Sequence, residues 1–189
     1  MRVGIAGYGL AGRVFHAPLL KGCGYVVASI LTSNPERIAQ AKSDFPQVQI
    51  FSDLDAFLDS GLDLVVIASS NVAHLPQTLA ALERGIPTVV DKPMGRSVAE
   101  VKEMIALSEK KQTLLTTFFN RRWDSDALTM KRVIRAREIG SIHRFESRFE
   151  RFRPEIKLDT WREDNAVEQG GGLLLDLQTH LIAGAIDLF

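Results

Sequence analysis

Short apolar runs alternating with helical stretches predict an α/β fold, a doubly wound parallel sheet, followed by part of an α+β domain carrying an antiparallel strand. Three observations carry this. Six β-type runs fall at 3–6, 25–31, 48–51, 62–68, 86–90 and 114–118, with helical patterns between most of them; runs spaced this way make parallel βαβ units with helices on both faces. A glycine-rich turn follows the first run. Beyond residue 119 the pattern changes, and residues 143–152 alternate polar and apolar as a strand with one wet face does.

The elements follow in order. The run 3–6 leads into Gly7-Tyr8-Gly9-Leu10-Ala11-Gly12 and a helical segment from Ala11 to about Leu20. A second strand, 25–31, precedes a helix over 35–44. The run 62–68 (Leu-Asp-Leu-Val-Val-Ile-Ala) reads as a buried strand, and a helix over 73–84 stops at Gly85, where a C′ glycine belongs. Strand 86–90, helix 98–110 and strand 114–118 complete a first domain, 1–119. The second, 120–189, holds a charged helix over 124–137, the alternating run with Phe145, Ser147 and Phe149 on one face and Arg144, Glu146, Arg148 and Glu150 on the other, and an apolar helix over 173–189 opened by Gly170-Gly171-Gly172. A lone strand has no hydrogen-bonding partner, so this second domain is expected to be incomplete in the chain.

Composition excludes several classes. Hydrophobic residues make up 46% of 189, enough for a packed core. Lys+Arg and Asp+Glu both number 23, which argues against nucleic acid or an anionic membrane as partner. The single cysteine, Cys23, forms no internal disulfide and fits a reducing compartment. With no signal-peptide pattern at the N-terminus and no apolar run of spanning length, a soluble cytoplasmic protein is expected. One cysteine and scattered histidines offer no metal-ligand spacing.

The turn at 7–12 matches G-x-G-x-x-G in its informative context, after a strand and before a helix. In a Rossmann domain Gly7 permits the tight turn, Gly9 lets backbone approach a pyrophosphate, Gly12 lets helix pack on strand, and the helix N-terminus faces the phosphates. Tyr8, Leu10 and Ala11 complete this cofactor-binding turn. NAD-binding versions place a carboxylate about 20 residues on, for the ribose 2′-OH; here stand Thr32, Ser33 and Asn34, with Arg37 behind. Hydroxyls and an arginine suit a 2′-phosphate, so NADP is expected over NAD. Ser69, Asn71 and His74, following the strand 62–68, are placed near the nicotinamide ribose, because ligands bind at the carboxyl ends of strands.

Asp91-Lys92-Pro93 lies at the end of strand 86–90. A lysine there can hold a substrate hydroxyl, and the Lys92–Pro93 bond is open to the cis form. Asp176 and His180 are four apart on the last helix, on one face, where a carboxylate orients an imidazole for acid–base work. His16 reads as a packed helix residue.

Gly-Tyr-Gly-Leu-Ala-Gly at 7–12, Val89-Val90-Asp91-Lys92-Pro93, Asn120-Arg121-Arg122-Trp123-Asp124, and Gly171-Gly172-Leu173-Leu174-Leu175-Asp176-Leu177-Gln178-Thr179-His180 occur in that order. Together they resemble the Gfo/Idh/MocA oxidoreductases, and Gly-Leu-Ala-Gly-Arg-Val-Phe-His-Ala-Pro is similar to the NADP-preferring scyllo-inositol dehydrogenase branch. The resemblance implies hydride exchange between nicotinamide and a sugar- or polyol-type alcohol or carbonyl, with His180 moving the hydroxyl proton, Lys92 polarising the oxygen and Asp176 orienting the pair. It places Asn120, Arg122, Trp161 and Arg162 around the substrate, and implies a second domain closed by an open antiparallel sheet and a homo-oligomer, dimer or tetramer, at full length. Two positions depart from the pattern: Gln178 stands where the branch has Gly, and Ala183-Gly184 where it has Asp. Most of the sheet is also missing. Two other readings stand beside the enzyme: a non-catalytic NAD(P)-binding regulator, and an inactive truncated fragment. Lys92, Asp176 and His180 favour the enzyme, and the missing sheet the regulator.

Overall fold

The computed structural model describes residues 1–150, 152, 154–155 and 165–189. It divides into two compact units, Met1–Phe118 and Phe119–Phe189.

In the first unit, β1 (Arg2–Ala6), β2 (Val26–Leu31), β3 (Gln49–Phe51), β4 (Leu64–Ile67), β5 (Thr88–Asp91) and β6 (Leu115–Phe118) form one parallel sheet in the order β3-β2-β1-β4-β5-β6. That is the doubly wound order, whose direction reverses between β1 and β4. Side-chain alternation divides the core between the faces. Val3, Ile5, Ile30 and Val66 pack on one side with Tyr8 and Ala17; Ala6, Val65, Ile67 and Val90 pack on the other with Phe57, Leu58 and Ala81. Gly4 makes room for the second layer, since a Cβ there would lie 2.7 Å from Phe57 Cζ. Phe57 is fully buried, worth about 1.5–3 kcal/mol over an exposed ring.

Helices connect the strands. The first opens as a π-segment, Ala11–His16, and continues as α1, Ala17–Gly22. In α2 (Pro35–Asp44), Asn34 Oδ1 accepts the Arg37 N–H at 3.0 Å and Pro35 fills the first turn, where no N–H is needed. Asp53 and Ser97 cap α3 (Leu54–Leu58) and α5 (Val98–Lys111) likewise. Between them α4 spans Asn71–Glu83.

The second unit contains a 3-10 turn, Asn120–Trp123, then α6 (Ser125–Arg135), a second 3-10 turn (Val167–Gln169), a π-segment (Leu174–Gln178) and α7 (Thr179–Leu188). Lys131 on α6 donates to both carboxylate oxygens of Asp187 on α7, at 2.8 and 2.7 Å. The strand expected over 143–152 is not formed: its described residues have no ladder. Alternation alone does not make a strand, because the backbone groups need a neighbour, and no second strand stands beside this run among the described residues. Along the run Arg144, Glu146 and Arg148 pair, while Phe145 packs edge-on against Phe189, with ring centroids 5.3 Å apart. Among the described residues no helix is long and apolar enough to cross a membrane.

Candidate active site

The register of the sheet assembles the candidate residues of the first unit. Phe51, Leu31, Ala6, Ile67, Val90 and Thr117 pair in one row across all six strands. The residues just beyond that row, at the carboxyl edge, are the Gly7–Gly12 turn, Thr32 to Arg37, Ser69 to His74, and Asp91-Lys92-Pro93. Neighbouring strands lie about 4.8 Å apart, so the glycine turn after β1 and Lys92 after β5 are about 10 Å apart with the Ser69 turn between them.

The glycine turn has the shape of a phosphate cradle. Gly7 has φ +94°, and a Cβ on it would lie 2.7 Å from the Ala68 carbonyl oxygen. Over Gly9 lies the guanidinium of Arg37: a Cβ on Gly9 would be 3.6 Å from its central carbon. Thr32 is buried at the end of β2, its hydroxyl accepting the Asn34 N–H at 3.3 Å, and Ser33 is exposed beside it. A cationic fork thus stands above a glycine too small to obstruct it, with hydroxyls nearby and no carboxylate at positions 32–34.

Within the turn, the Tyr8 side chain is taken up by the fold. Its side chain is 1% exposed and its hydroxyl donates to Asp44 Oδ2 at 3.0 Å. Burial and that carboxylate raise the phenol well above its usual range. Arg13 Nε donates to the same Asp44 oxygen at 2.7 Å, which holds the Asp44 carboxyl below the usual carboxylate range. The Tyr8 ring therefore anchors the turn to α2 and leaves only its backbone for a ligand. Leu10 (62% exposed) and Ala11 lie at the helix mouth.

At the end of β5 the Asp91 carboxylate accepts the Lys92 N–H at 2.7 Å, and the Lys92–Pro93 peptide is cis. His74, expected near the nicotinamide ribose, is buried behind the Ser69 turn. Its ring is 1% exposed, with Nδ1 2.8 Å from the Pro93 carbonyl oxygen and Nε2 3.3 Å from that of Ser69. Burial lowers its pKa, which favours the neutral ring. Ser69 donates its hydroxyl to Gln77 Oε1 at 2.6 Å, and Asn71 is buried at the start of α4. His16 is packed, as expected: it is 4% exposed with its ring 4.5 Å from that of Phe118, and its Nε2 lies 3.7 Å from Asp91 Oδ2. Spacing along the chain gives no sign of this, because it depends on β5 pairing Asp91 with Phe118.

In the second unit Asp176 is 8% exposed on the π-segment, its N–H donating to the Gly172 carbonyl at 3.2 Å. Gly170 and Gly172 take φ of +84° and +89°, conformations glycine adopts without strain. His180 lies in the first turn of α7 and borders a cavity of about 370 Å³, lined also by Phe119, Arg122, Phe145, Phe149 and Asp187. That volume suits a small molecule. The Arg122 guanidinium sits 5.2 Å above the Phe119 ring. Asn120 opens the 3-10 turn outside the cavity lining. Trp161 and Arg162 lie outside the described residues. Lys131 holds the Asp187 carboxyl below its usual range. Among the described residues no group of three His, Cys, Asp or Glu side chains is arranged to hold a metal ion.

Comparison with known proteins agrees with this architecture. The profile described as "Oxidoreductase family, NAD-binding Rossmann fold" matches residues 1–119, and the "GFO/IDH/MocA C-terminal domain" matches residues 127–189. The uncharacterized oxidoreductase YdgJ of Escherichia coli is 40% identical over 100% of this chain and 54% of its own length. The scyllo-inositol 2-dehydrogenase (NADP(+)) IolW of Bacillus subtilis is 34% identical over 100% of this chain and 52% of its own. Among solved structures, yvaA of Bacillus subtilis superposes with a TM-score of 0.91 at 34% identity, covering 100% of this chain and 53% of that one. The chain thus spans about half the length of the relatives it matches, and it belongs to the Gfo/Idh/MocA family of oxidoreductases.

Proposed function

We propose that the protein is an NADP-dependent dehydrogenase or reductase of a polyol, sugar or related carbonyl, with an inositol-like ring as the leading substrate class. The observation that carries this reading is the Arg37 guanidinium over Gly9. A 2′-phosphate is dianionic and suits a planar fork of N–H donors, whereas a bare ribose diol has no charge to match it. The substrate class rests on the likeness to IolW and on Lys92, Asp176 and His180 standing at the family's positions.

The residues take separate roles. Backbone N–H groups of the glycine turn and the helix mouth at Leu10 and Ala11 hold the pyrophosphate. Thr32, Ser33 and Arg37 bind the adenosine ribose end, and the turn from Ser69 to Asn71 the nicotinamide end. The bound nicotinamide supplies the hydride acceptor or donor. Lys92 donates a hydrogen bond to the reacting oxygen, stabilising negative charge as it develops there. His180 takes the hydroxyl proton in oxidation and returns it in reduction. Asp176 favours the protonated imidazole, and Arg122 borders the substrate.

Titrating the purified protein with NADPH and NADH, followed by nicotinamide fluorescence, tests the cofactor. The reading expects NADPH to bind at least tenfold tighter, as one charge-assisted contact supplies. Equal binding would overturn the NADP assignment. NADP reduction over a panel of inositols, aldoses and ketoses tests the reaction. NADPH binding without turnover of any of them would favour the regulator instead.

A further inference from the structure

We infer that His74 and His16 are positioning residues that hold the two ends of the Asp91-Lys92-Pro93 turn against the two cofactor-binding segments. The inference rests on the proposed reading of Lys92 and deepens it. His74 Nδ1 lies 2.8 Å from the Pro93 carbonyl and Nε2 3.3 Å from that of Ser69. One ring therefore lies between the loops that follow β4 and β5, within hydrogen-bond reach of the second and in contact with the first. Both partners are carbonyl oxygens, which only accept. In the neutral ring the single N–H belongs on the shorter contact, so Nδ1–H donates to Pro93.

At the other end of the turn, Asp91 uses one oxygen for the Lys92 N–H, at 2.7 Å, and turns the other toward His16 Nε2, at 3.7 Å. His16 Nε2 is buried and lacks a hydrogen-bond partner among the described residues. A small closure of the helix onto the turn would complete its bond to Asp91. His16 belongs to the helical segment whose mouth meets the pyrophosphate, and His74 to the helix that begins at the Ser69 turn. Each histidine thus sets a cofactor-binding segment against the same three residues, His74 through a hydrogen bond and His16 through the 3.7 Å approach to Asp91. A buried side chain in a single rotamer defines the position of a loop better than a solvated one. Lys92 needs that definition, because a misplacement of about 1 Å can slow a reaction 100-fold.

The test reads Lys92 directly in the protein without cofactor. Reductive methylation with ¹³C-formaldehyde gives each lysine an NMR signal, and Lys92→Arg identifies that of Lys92. In His74→Phe, which keeps the ring and loses both polar contacts, the Lys92 signal is expected to shift or broaden. In His74→Gln, whose amide can donate to the Pro93 carbonyl, it returns toward the original position. Glu83→Gln, at the far end of α4, leaves it unchanged. His16→Phe is expected to move the signal and His16→Gln to restore it. Should a phenylalanine variant fail to fold, His74→Ala and His16→Ala, which remove the polar groups, are expected to move the signal instead. With an active substrate, the same loss variants are expected to lower kcat on the order of 10- to 100-fold with little change in the KM for NADPH. A Lys92 signal unmoved in the folded loss variants overturns the inference. Failure to bind NADPH or to turn over substrate, with the signal shifts present, instead overturns the proposed function and leaves the clamp standing.

Discussion

Gly12 lies so close to Gly7 that a Cβ on Gly12 would sit 2.1 Å from the Gly7 carbonyl oxygen. Backbone meets backbone there, so no side chain can rotate out of the way. Gly12→Ala is expected to destabilise the protein by about 3 kcal/mol or more and to abolish NADPH binding, both read by urea unfolding with and without cofactor. Gly22 ends α1 with nothing within 4 Å of its Cβ position and φ outside the left-handed region. Gly22→Ala is accordingly expected to be neutral or to stabilise by up to ~1 kcal/mol. Equal losses in the two variants would refute a close-packed cradle.

Arg37 separates the two cofactors. Its guanidinium stands over Gly9, and a charge-assisted hydrogen bond is worth about 1.5–3 kcal/mol. Arg37→Gln is expected to weaken NADPH binding by about 10- to 100-fold and to leave NADH binding nearly unchanged. The affinity for NADPH in the unsubstituted protein is also expected to fall with added salt, because the pair is exposed. Parallel losses for both cofactors would assign Arg37 to the fold alone.

Tyr8 offers the converse case, a residue inside the motif whose side chain is buried in the core. Tyr8→Phe removes the hydroxyl bonded to Asp44 but keeps the ring in the core, and Asp44 retains Arg13. A loss of about 1 kcal/mol in stability is expected, with the affinity for NADPH unchanged. A large loss of affinity, measured by the same fluorescence titration, would place the phenol at the ligand.

The contrast between Tyr8 and Gly12 shows what the sequence makes legible. Gly7 and Gly12 are readable because steric exclusion is local: only glycine tolerates those contacts and that φ, so the motif marks its own geometry. The strands were readable too, though 62–68 shortens to Leu64–Ile67, because buried parallel strands demand continuous apolar runs. Tyr8 was not, since G-x-G-x-x-G says nothing about which way its intervening side chains point. His74 and His16 take their roles from β4 and β5 being neighbours and from Asp91 pairing with Phe118, relations that no periodicity along the chain encodes. The run 143–152 failed for a related reason. Alternation reports which side chains would share a face of a strand but not whether the backbone has a partner, and without one Arg148 and Glu150 border the cavity together with Phe145, Ser147 and Phe149.

His74 also makes the stability of the fold depend on pH. Burial lowers its pKa in the folded protein below the 6.5 of a free imidazole, against the opposing pull of the Pro93 and Ser69 carbonyls and of Asp91. Below about pH 6.5 the unfolded chain therefore takes up a proton that the folded chain refuses. Stability is retained in full above that pH and declines as the pH falls, by up to ~1.4 kcal/mol per unit, until the folded ring protonates. The slope of unfolding free energy between about pH 6.5 and 5.5 is expected to flatten in His74→Gln, which has no proton to take up. Urea unfolding at several pH values in that window measures it. If the two slopes coincide, His74 is charged in the native protein, and the Ser69 contact becomes a second donated hydrogen bond.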